Sequence, residues 1–319
     1  MKLFSYESIK KDKAVFLSLT SLTVKEFDEL CASFAETWNE HTNQHGKDPS
    51  KGGRPYVLDS MEDRLLFILF YLKTYPLQTV LAYSFEISQS EANFLVHQLS
   101  FVLRMTLKKD DFIPPRITDE MLARLEQENS QNYGIDGAER RINRPVDQDV
   151  QQFFYSGKRH CHTLKNNIVA GLDDCQIKGL SATYEGKKHD KKICDEENTR
   201  LPEGRDLYRD TAFQGHEMVG VNIHQPKKKP RGGELTGEEK EGNRLISSVR
   251  VVVEHVIAGI KRCRIVKDVF RNTKADYDDE VIELAWDCMT LGAITDELPI
   301  DRRIFKTLCR AQVPVLMTD

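Results

Sequence analysis

The residues with the clearest chemical potential are one carboxylate and two cations on an apolar segment, residues 243–261. Arg250, Glu254 and Lys261 are spaced i, i+4 and i+11, which places all three on one face of an α-helix. Valine and isoleucine fill most other positions, so we predict a buried helix with a narrow polar stripe. A carboxylate there must be paired, hydrogen-bonded or bound to a metal ion, because an isolated buried charge is very costly. An Arg250–Glu254 ion pair at helical spacing would satisfy it equally well.

Two further acids, Asp136 and Asp210, stand near the ends of predicted strands at residues 133–136 and 206–212. If these strands are neighbours and the helix packs over their ends, both aspartates meet Glu254 at one point. Like charges held together need compensation, and carboxylate oxygens favour Mg²⁺ or Mn²⁺. Two such ions about 4 Å apart can activate a nucleophile and stabilise the leaving oxygen of a phosphodiester. The pattern therefore predicts a two-metal site for a polyanionic substrate.

The charge distribution agrees with a polyanionic partner although the net charge is −4, because binding depends on local patches. One basic cluster lies in a glycine-bearing loop and contains Lys227, Lys228, Lys229 and Arg231. The other follows the predicted helix and contains Lys261, Arg262, Arg264, Lys267 and Arg271. We expect the loop cluster to hold a phosphate backbone.

The first half of the chain predicts a compact helical unit. Residues 61–73 are apolar almost all round, which indicates a central helix, and a short second helix follows Pro76. Ser88 and Glu91 form a capping box that begins a third helix. This order is typical of a helix-turn-helix, whose second helix reads bases in the major groove, although a plain helical bundle would show it too. We predict that four polar residues of the third helix contact DNA: Gln89, Ser90, Asn93 and His97.

A polar stretch at residues 106–132, which contains Pro114 and Pro115, separates two patterns. We place the domain boundary there, with a helical domain at residues 1–128 and a second domain at residues 129–319. Three predicted strands at 133–136, 159–170 and 177–184 open the second domain, and helices then alternate with strands. This order predicts an α/β domain with a mixed sheet flanked by helices.

Other features limit the class of protein. The N-terminus lacks the apolar core of a signal peptide, and the longest apolar run, residues 65–72, is too short to span a bilayer. Seven cysteines without CxxC spacing fit a reducing cytosol, so we expect a cytoplasmic protein with no membrane partner. His160, Cys161 and His162 suggest zinc, but neighbours on a strand point to opposite faces and no second ligand pair follows at zinc spacing.

Six ordered segments carry a family resemblance: YGIDGAERRINRP, FYSGKRHCHTLKN, GKKHDKK, LYRDTAFQG, KKPRGGELTGEEKEGNRLISSVRVVVEH and IAGIKRCRI. Over roughly residues 55–295 the chain resembles DDE-type transposases of bacterial insertion sequences, in the group that joins an N-terminal helix-turn-helix to a ribonuclease-H-like nuclease. The resemblance implies that Asp136, Asp210 and Glu254 are the metal-binding triad. Ser247 stands where relatives carry Tyr, and Ala138 where many carry Thr; neither is a metal ligand.

The resemblance also implies an activity. The enzyme would hydrolyse phosphodiester bonds at the inverted-repeat ends of an element, expose 3′ hydroxyls and join them to target DNA. Asp136 would bridge two Mg²⁺ or Mn²⁺ ions, while Asp210 and Glu254 would each hold one. Arg250 and Lys261 would contact phosphates or steady Glu254. Its partner would be double-stranded DNA in the nucleoid, bound by a homodimer.

Two other functions remain open: a non-catalytic DNA-binding regulator derived from a transposase, and a host nuclease of ribonuclease-H-like fold. Clustered acids argue against the first, since a protein that only binds DNA has no use for them. The helix-turn-helix favours an enzyme directed to particular sequences over the second. Asp190, in the segment GKKHDKK, fits either the surroundings of the active centre or a helix cap.

Overall fold

The first half of the chain is helical. The computed structural model describes residues 4–45 and 58–291, and the side chains of 4–42 and 58–285. The helices of this half are α1 (Tyr6–Ile9), α2 (Lys13–Thr20), α3 (Val24–His45), α4 (Met61–Thr74), α5 (Gln78–Ser84), α6 (Gln89–Lys109) and α7 (Asp119–Gln127). Residues 64–72 of α4 are all buried, which makes α4 the central helix that the sequence predicts.

Capping residues set the ends of the helices around the turn. Ser60 begins α4 by accepting a hydrogen bond from the Asp63 amide at 3.0 Å. Ser88 begins α6 in the same way, since its hydroxyl accepts from the Glu91 amide at 3.2 Å. Tyr75 ends α4 in the left-handed conformation, at φ 45°. A short helix, a tight turn and a longer helix therefore follow one another, as the pattern predicts.

The second half is a mixed α/β structure. Its strands are β1 (Asn132–Arg141), β2 (Tyr155–Ser156), β3 (Cys161–Gly171), β4 (Ile177–Leu180), β5 (Tyr184–Glu185), β6 (Asp206–Arg209) and β7 (Asn222–His224). Its helices are α8 (Gln148–Phe154), α9 (Asp190–Glu196), α10 (Gly237–Ile260), α11 (Arg264–Lys267) and α12 (Tyr277–Leu291). The sequence predicts β1, β3, β4 and β6 together with α10, but not α8 or β2.

The sheet has β1 at its centre. Strand β3 pairs antiparallel with β1, whereas β6 pairs parallel with β1 and β7 parallel with β6. Strands β2, β5 and β4 pair in turn along the outer edge of β3. Ile135 of β1 lies opposite Arg209 of β6, the last pair of their register, so the next residues, Asp136 within β1 and Asp210 directly after β6, lie side by side.

Helices cover both faces of the sheet. Helix α10 lies so close to β1 that a Cβ atom added to Gly134 would be 2.1 Å from Val253 Cγ2. The opposite face carries a separate apolar cluster that includes Tyr133, Ile135 and Leu207, with Cys194 of α9. This arrangement confirms the predicted mixed sheet flanked by helices. No helix in the described part of the chain is long and apolar enough to cross a bilayer.

The end of the second half returns to the helical half. One hydrophobic core contains Phe67 of α4 and Leu103 of α6 together with Val281 and Ile282 of α12. The hydroxyls of Ser100 and Tyr277 also share a hydrogen bond of 2.9 Å. Residues far apart in the sequence therefore complete the surroundings of α6, and the domain boundary near residue 128 stays a prediction.

Candidate active site and nucleic-acid interface

Strand pairing brings together the two predicted aspartates. Asp136 lies within β1, and Asp210 directly follows β6, the parallel neighbour of β1. The guanidinium of Arg250, on α10, faces both: its Nη2 atom is 3.8 Å from Asp136 Oδ2 and 3.7 Å from Asp210 Oδ2. All three side chains are at least half-buried. The result is a partly enclosed site with two carboxylates and one shared cation.

Backbone amides fix the orientation of both carboxylates. Asp136 Oδ1 accepts a hydrogen bond from the Gly137 amide at 2.8 Å. Asp210 Oδ1 accepts one from the Thr211 amide at 2.5 Å, because Asp210 caps a 3₁₀ turn at Thr211–Phe213. In each aspartate the Oδ1 atom is therefore held by the chain, and the Oδ2 atom is turned towards Arg250.

The electrostatics of the site favour a cation. Burial raises the pKa of Asp136, and the nearby charges of Asp190 and Asp210 raise this pKa further. The Gly137 amide and Arg250 act in the opposite direction, but the net direction is upward. An additional positive charge at this point would therefore stabilise the ionised carboxylate.

Glu254 does not lie with the two aspartates, although the sequence analysis expected all three carboxylates to converge at one point. Helix α10 buries Val252, Val253 and Val256, but Glu254 is exposed and Val251 is 41% exposed. The prediction of a helix buried almost all round was wrong because the sheet covers only one side of α10. Among the described residues, no three His, Cys, Asp or Glu side chains are close enough to hold a metal ion together.

The sequence left open whether Asp190 lies near the active site or caps a helix, and the structure places it near the active site. Its Oδ1 atom is 3.0 Å from the ammonium of Lys165, which also donates to the Lys188 carbonyl at 2.8 Å. A Cβ atom added to Gly137 would be 3.0 Å from the same Oδ1 atom. Asp190 is the first residue of α9, and His189, not Asp190, is its N-cap. The absence of a side chain at residue 137 therefore lets this ion pair lie against the strand that carries Asp136.

Lys261 ends α10 near the same centre. Burial lowers the pKa of Lys261, and the charge of Arg159 lowers it further, whereas Asp136 and Glu139 oppose this shift. The ammonium is thus within electrostatic reach of Asp136.

The predicted DNA-contact residues of α6 divide into two groups. Gln89, Ser90 and Asn93 are exposed on its first two turns. His97 is half-buried: its ring centroid is 4.7 Å from that of Tyr277, and its Nε2 atom is 3.4 Å from Asn272 Nδ2. Its predicted place on the free face was wrong, because α12 returns to cover this part of α6.

The basic loop is attached to the first half of α10. The Lys227 amide donates to Asn243 Oδ1 at 2.8 Å, and Asn243 Nδ2 donates to the Lys227 carbonyl at 2.9 Å. The four basic side chains of the loop are exposed: Lys227, Lys228, Lys229 and Arg231. They are positioned to meet a ligand in solvent.

Comparison with known protein families indicates which family the chain resembles. Residues 135–286 match the model of a DDE superfamily endonuclease, and residues 56–109 match a helix-turn-helix of DDE superfamily endonucleases. The chain therefore contains both regions of a DDE superfamily endonuclease, the helix-turn-helix and the endonuclease itself. The predicted family, helix-turn-helix and endonuclease region are thereby confirmed, and the two regions imply that this transposase binds DNA.

Two curated relatives agree with this family. A protein named as a transposase for insertion sequence element IS702, from Microchaete diplosiphon, is 28% identical over 255 residues, which cover 79% of this chain and 88% of the relative. A protein named as a transposase for insertion sequence element IS112, from Streptomyces albus G, is 25% identical over 229 residues, which cover 70% and 78%. No solved structure matches.

Proposed function

We propose that this transposase binds the inverted-repeat ends of an insertion sequence, hydrolyses phosphodiester bonds to free 3′ hydroxyls, and joins these ends to target DNA. One observation carries the proposal. Asp136, within β1, and Asp210, directly after the parallel strand β6, lie side by side in the matched endonuclease region, and both turn an Oδ2 atom towards Arg250. Two carboxylates that face the same point suit the cleavage of a phosphodiester, because they can bind cations on both sides of the reacting phosphate.

The donor set fits Mg²⁺ or Mn²⁺. The two Oδ2 atoms are hard oxygen ligands, and burial leaves Asp136 in need of a positive charge. Two bound ions would supply an activated nucleophile and stabilisation of the leaving oxygen. Asp136 would contact both ions, whereas Asp210 would hold one.

Glu254 is proposed as the third acid. It lies one helical turn beyond Arg250, roughly 6 Å along the axis of α10. Its exposure on the same helix as Arg250 leaves its carboxylate open to a ligand in solvent. Glu254 would complete the set once DNA and metal ions occupy the site together.

The positively charged side chains of the site would bind the DNA. Arg250 neutralises the two aspartates and, with its planar fork of donors, would orient a phosphate beside them. Lys261 would place a point charge near Asp136, and the loop at residues 227–231 would hold the backbone further away. Joining two ends to one target requires two active sites, so we expect a homodimer on double-stranded DNA in the nucleoid.

A non-catalytic regulator is the second candidate. The position of Glu254, apart from the aspartates, favours it, because two acids bridged by an arginine form a stable ion network without metal. The names of both relatives favour a transposase instead. A host nuclease that never joins strands would cut the same DNA but yield no joined product.

The first experiment compares the wild type with Glu254→Gln on a labelled duplex that carries the element's own end, with Mg²⁺ or Mn²⁺. Glu241→Gln is the matched control, since Glu241 is exposed on the same helix. We expect nicking and joining by the wild type and the control, and binding without nicking by Glu254→Gln. Equal cutting by all three would exclude Glu254 as a ligand, and binding without cutting by any would favour the regulator.

A further inference from the structure

A cleft of about 400 Å³ lies between the helix-turn-helix and the segment that follows α11. Gln89 and Asn93 of α6 line one wall, and Gln78 and Thr79 at the start of α5 line another. The third wall is the segment that begins with Arg271. Two of the residues predicted to contact bases therefore share a cleft with a residue of the endonuclease region.

Arg271 is held at the edge of this cleft by the end of α4. Its Nη2 atom donates to the carbonyls of Tyr75 at 2.7 Å and Pro76 at 3.1 Å. The guanidinium lies 4.1 Å from the ring centroid of Tyr75, and the Arg271 amide donates to the Tyr75 hydroxyl at 2.7 Å. Among the described residues, the guanidinium hydrogen bonds all use Nη2, so the donors on Nε and Nη1 remain for a ligand.

The chemistry of the cleft suits a phosphodiester. Among the described residues that line it, Arg271 is the one charged side chain. The amides of Gln78 and Asn93 and the hydroxyl of Thr79 add neutral hydrogen-bonding groups. One positive fork with neutral donors matches a single negative charge spread over two oxygens. Arginine, threonine and amide side chains are also those that hold phosphates in protein–DNA complexes.

The cleft lies beside the part of α6 that would read bases. Asn272 contacts His97, one turn beyond Asn93, so the segment after Arg271 runs along α6. When a helix enters the major groove, the sugar–phosphate strand at the groove edge passes its flank. A phosphate of that strand would meet Arg271.

We propose that Arg271 binds a backbone phosphate of the DNA whose bases face Gln89 and Asn93. Residue 271 lies within the endonuclease match and outside the helix-turn-helix match, so the DNA-reading site is composed of both regions. This inference rests on the proposed function, because it assumes that α6 reads the end of the element.

The test measures DNA binding by the full-length transposase with fluorescence anisotropy over a series of salt concentrations. The probes are a duplex that carries the element's end and a scrambled duplex of equal length. Arg271→Gln removes the charge, whereas Arg271→Lys retains it. Lys25→Gln is the control, since it removes an exposed charge from α3. Asn93→Ala removes a base contact, and thermal unfolding checks that each variant is folded.

We expect Arg271→Gln to bind both duplexes about tenfold more weakly, since a hydrogen bond to a charged group is lost. The slope of log affinity against log salt should fall by about 0.9, the value for one phosphate contact. Arg271→Lys should keep most of this slope, and Lys25→Gln should match the wild type. Asn93→Ala should weaken binding to the end duplex alone.

Three results would overturn the inference. The first is an unchanged salt slope in Arg271→Gln. The second is an equal loss in Arg271→Gln and Arg271→Lys, which would assign Arg271 to holding α4. In both cases a wild type that prefers the end duplex leaves the proposed function intact. The third is a wild type without that preference, which would contradict the reading of DNA by α6 and remove the basis of the inference.

Discussion

The three acids proposed as a metal-binding triad differ in how firmly the fold holds them. Asp136 and Asp210 are positioned by the parallel pairing of β1 and β6, and a backbone amide orients each carboxylate. Glu254 stands on the exposed side of α10. Strand register fixes a neighbour to within one residue, whereas a helix can turn or slide and carry its side chains with it. The aspartate pair is therefore preformed, and the position of the third acid depends on how α10 packs.

The largest effect should follow from the preformed pair. Asp136→Asn keeps the shape and the hydrogen bond from Gly137 but removes the charge. We expect cutting of the end duplex to fall by at least ~10³-fold, as for other groups essential to a catalytic set. Single-turnover nicking measures it, with Asp149→Asn, an exposed residue of α8, as the control. Cutting within tenfold of the wild type would remove Asp136 from the ligand set.

The contact between α10 and β1 should be nearly as sensitive. Gly134→Ala places a Cβ atom against Val253, so α10 must shift away from the sheet. We expect a loss of about 1–3 kcal/mol in the free energy of unfolding, measured by chemical denaturation, together with reduced cutting because Arg250 leaves the aspartates.

The double variant Gly134→Ala/Val253→Ala sharpens this test. The smaller side chain at residue 253 makes room for the new methyl group, so α10 can return towards β1. Cutting that recovers in the double variant would show that the spacing matters. If cutting stays low while stability recovers, α10 does not set the geometry of the site.

A variant of Arg250 tests how a nearby positive charge affects Asp136. Its charge lowers the pKa of Asp136, against the upward effect of burial. Arg250→Gln removes this charge, so the pKa of Asp136 should rise and the carboxylate should be protonated at higher pH. The acidic limb of the pH–rate profile for nicking should therefore move towards neutral pH. An unmoved limb, with only a uniform loss of rate, would indicate that Arg250 acts on the DNA and not on Asp136.

The smallest effect concerns a fourth acid, Glu280 of α12. Burial raises the pKa of Glu280 to about 7, against a usual value of 4.5. Because the folded protein then binds the proton more tightly than the unfolded chain, its contribution to stability is complete below about pH 4.5 and is lost as pH rises through 7. Glu280→Gln should raise the melting temperature by a few degrees at pH 8 and leave it unchanged at pH 4. An equal shift at both values would contradict a titration of Glu280.

The sequence predicted the elements of the site better than their contacts. Asp136 and Asp210 were found because an acid near the end of a short predicted strand is a local signal. The exposure of Val251 and Glu254 was missed, since a run of valines shows that one side is buried but not how far the neighbouring sheet extends. His97 was misplaced for a related reason: its partner Tyr277 is 180 residues away in the sequence, and no local pattern reveals such a contact.

The return of α12 to α6 also orders the events of synthesis. Ser100 and Tyr277, which share a hydrogen bond, are separated by 177 residues. At translation rates of 5–20 residues per second, α6 leaves the ribosome roughly 10–35 s before the helix that packs on it. During that interval the nascent chain contains the helix-turn-helix but not the segment that begins with Arg271. A transposase still attached to its ribosome therefore acquires Asp136, Asp210 and Glu254 before Arg271, and its DNA-binding surface is completed last.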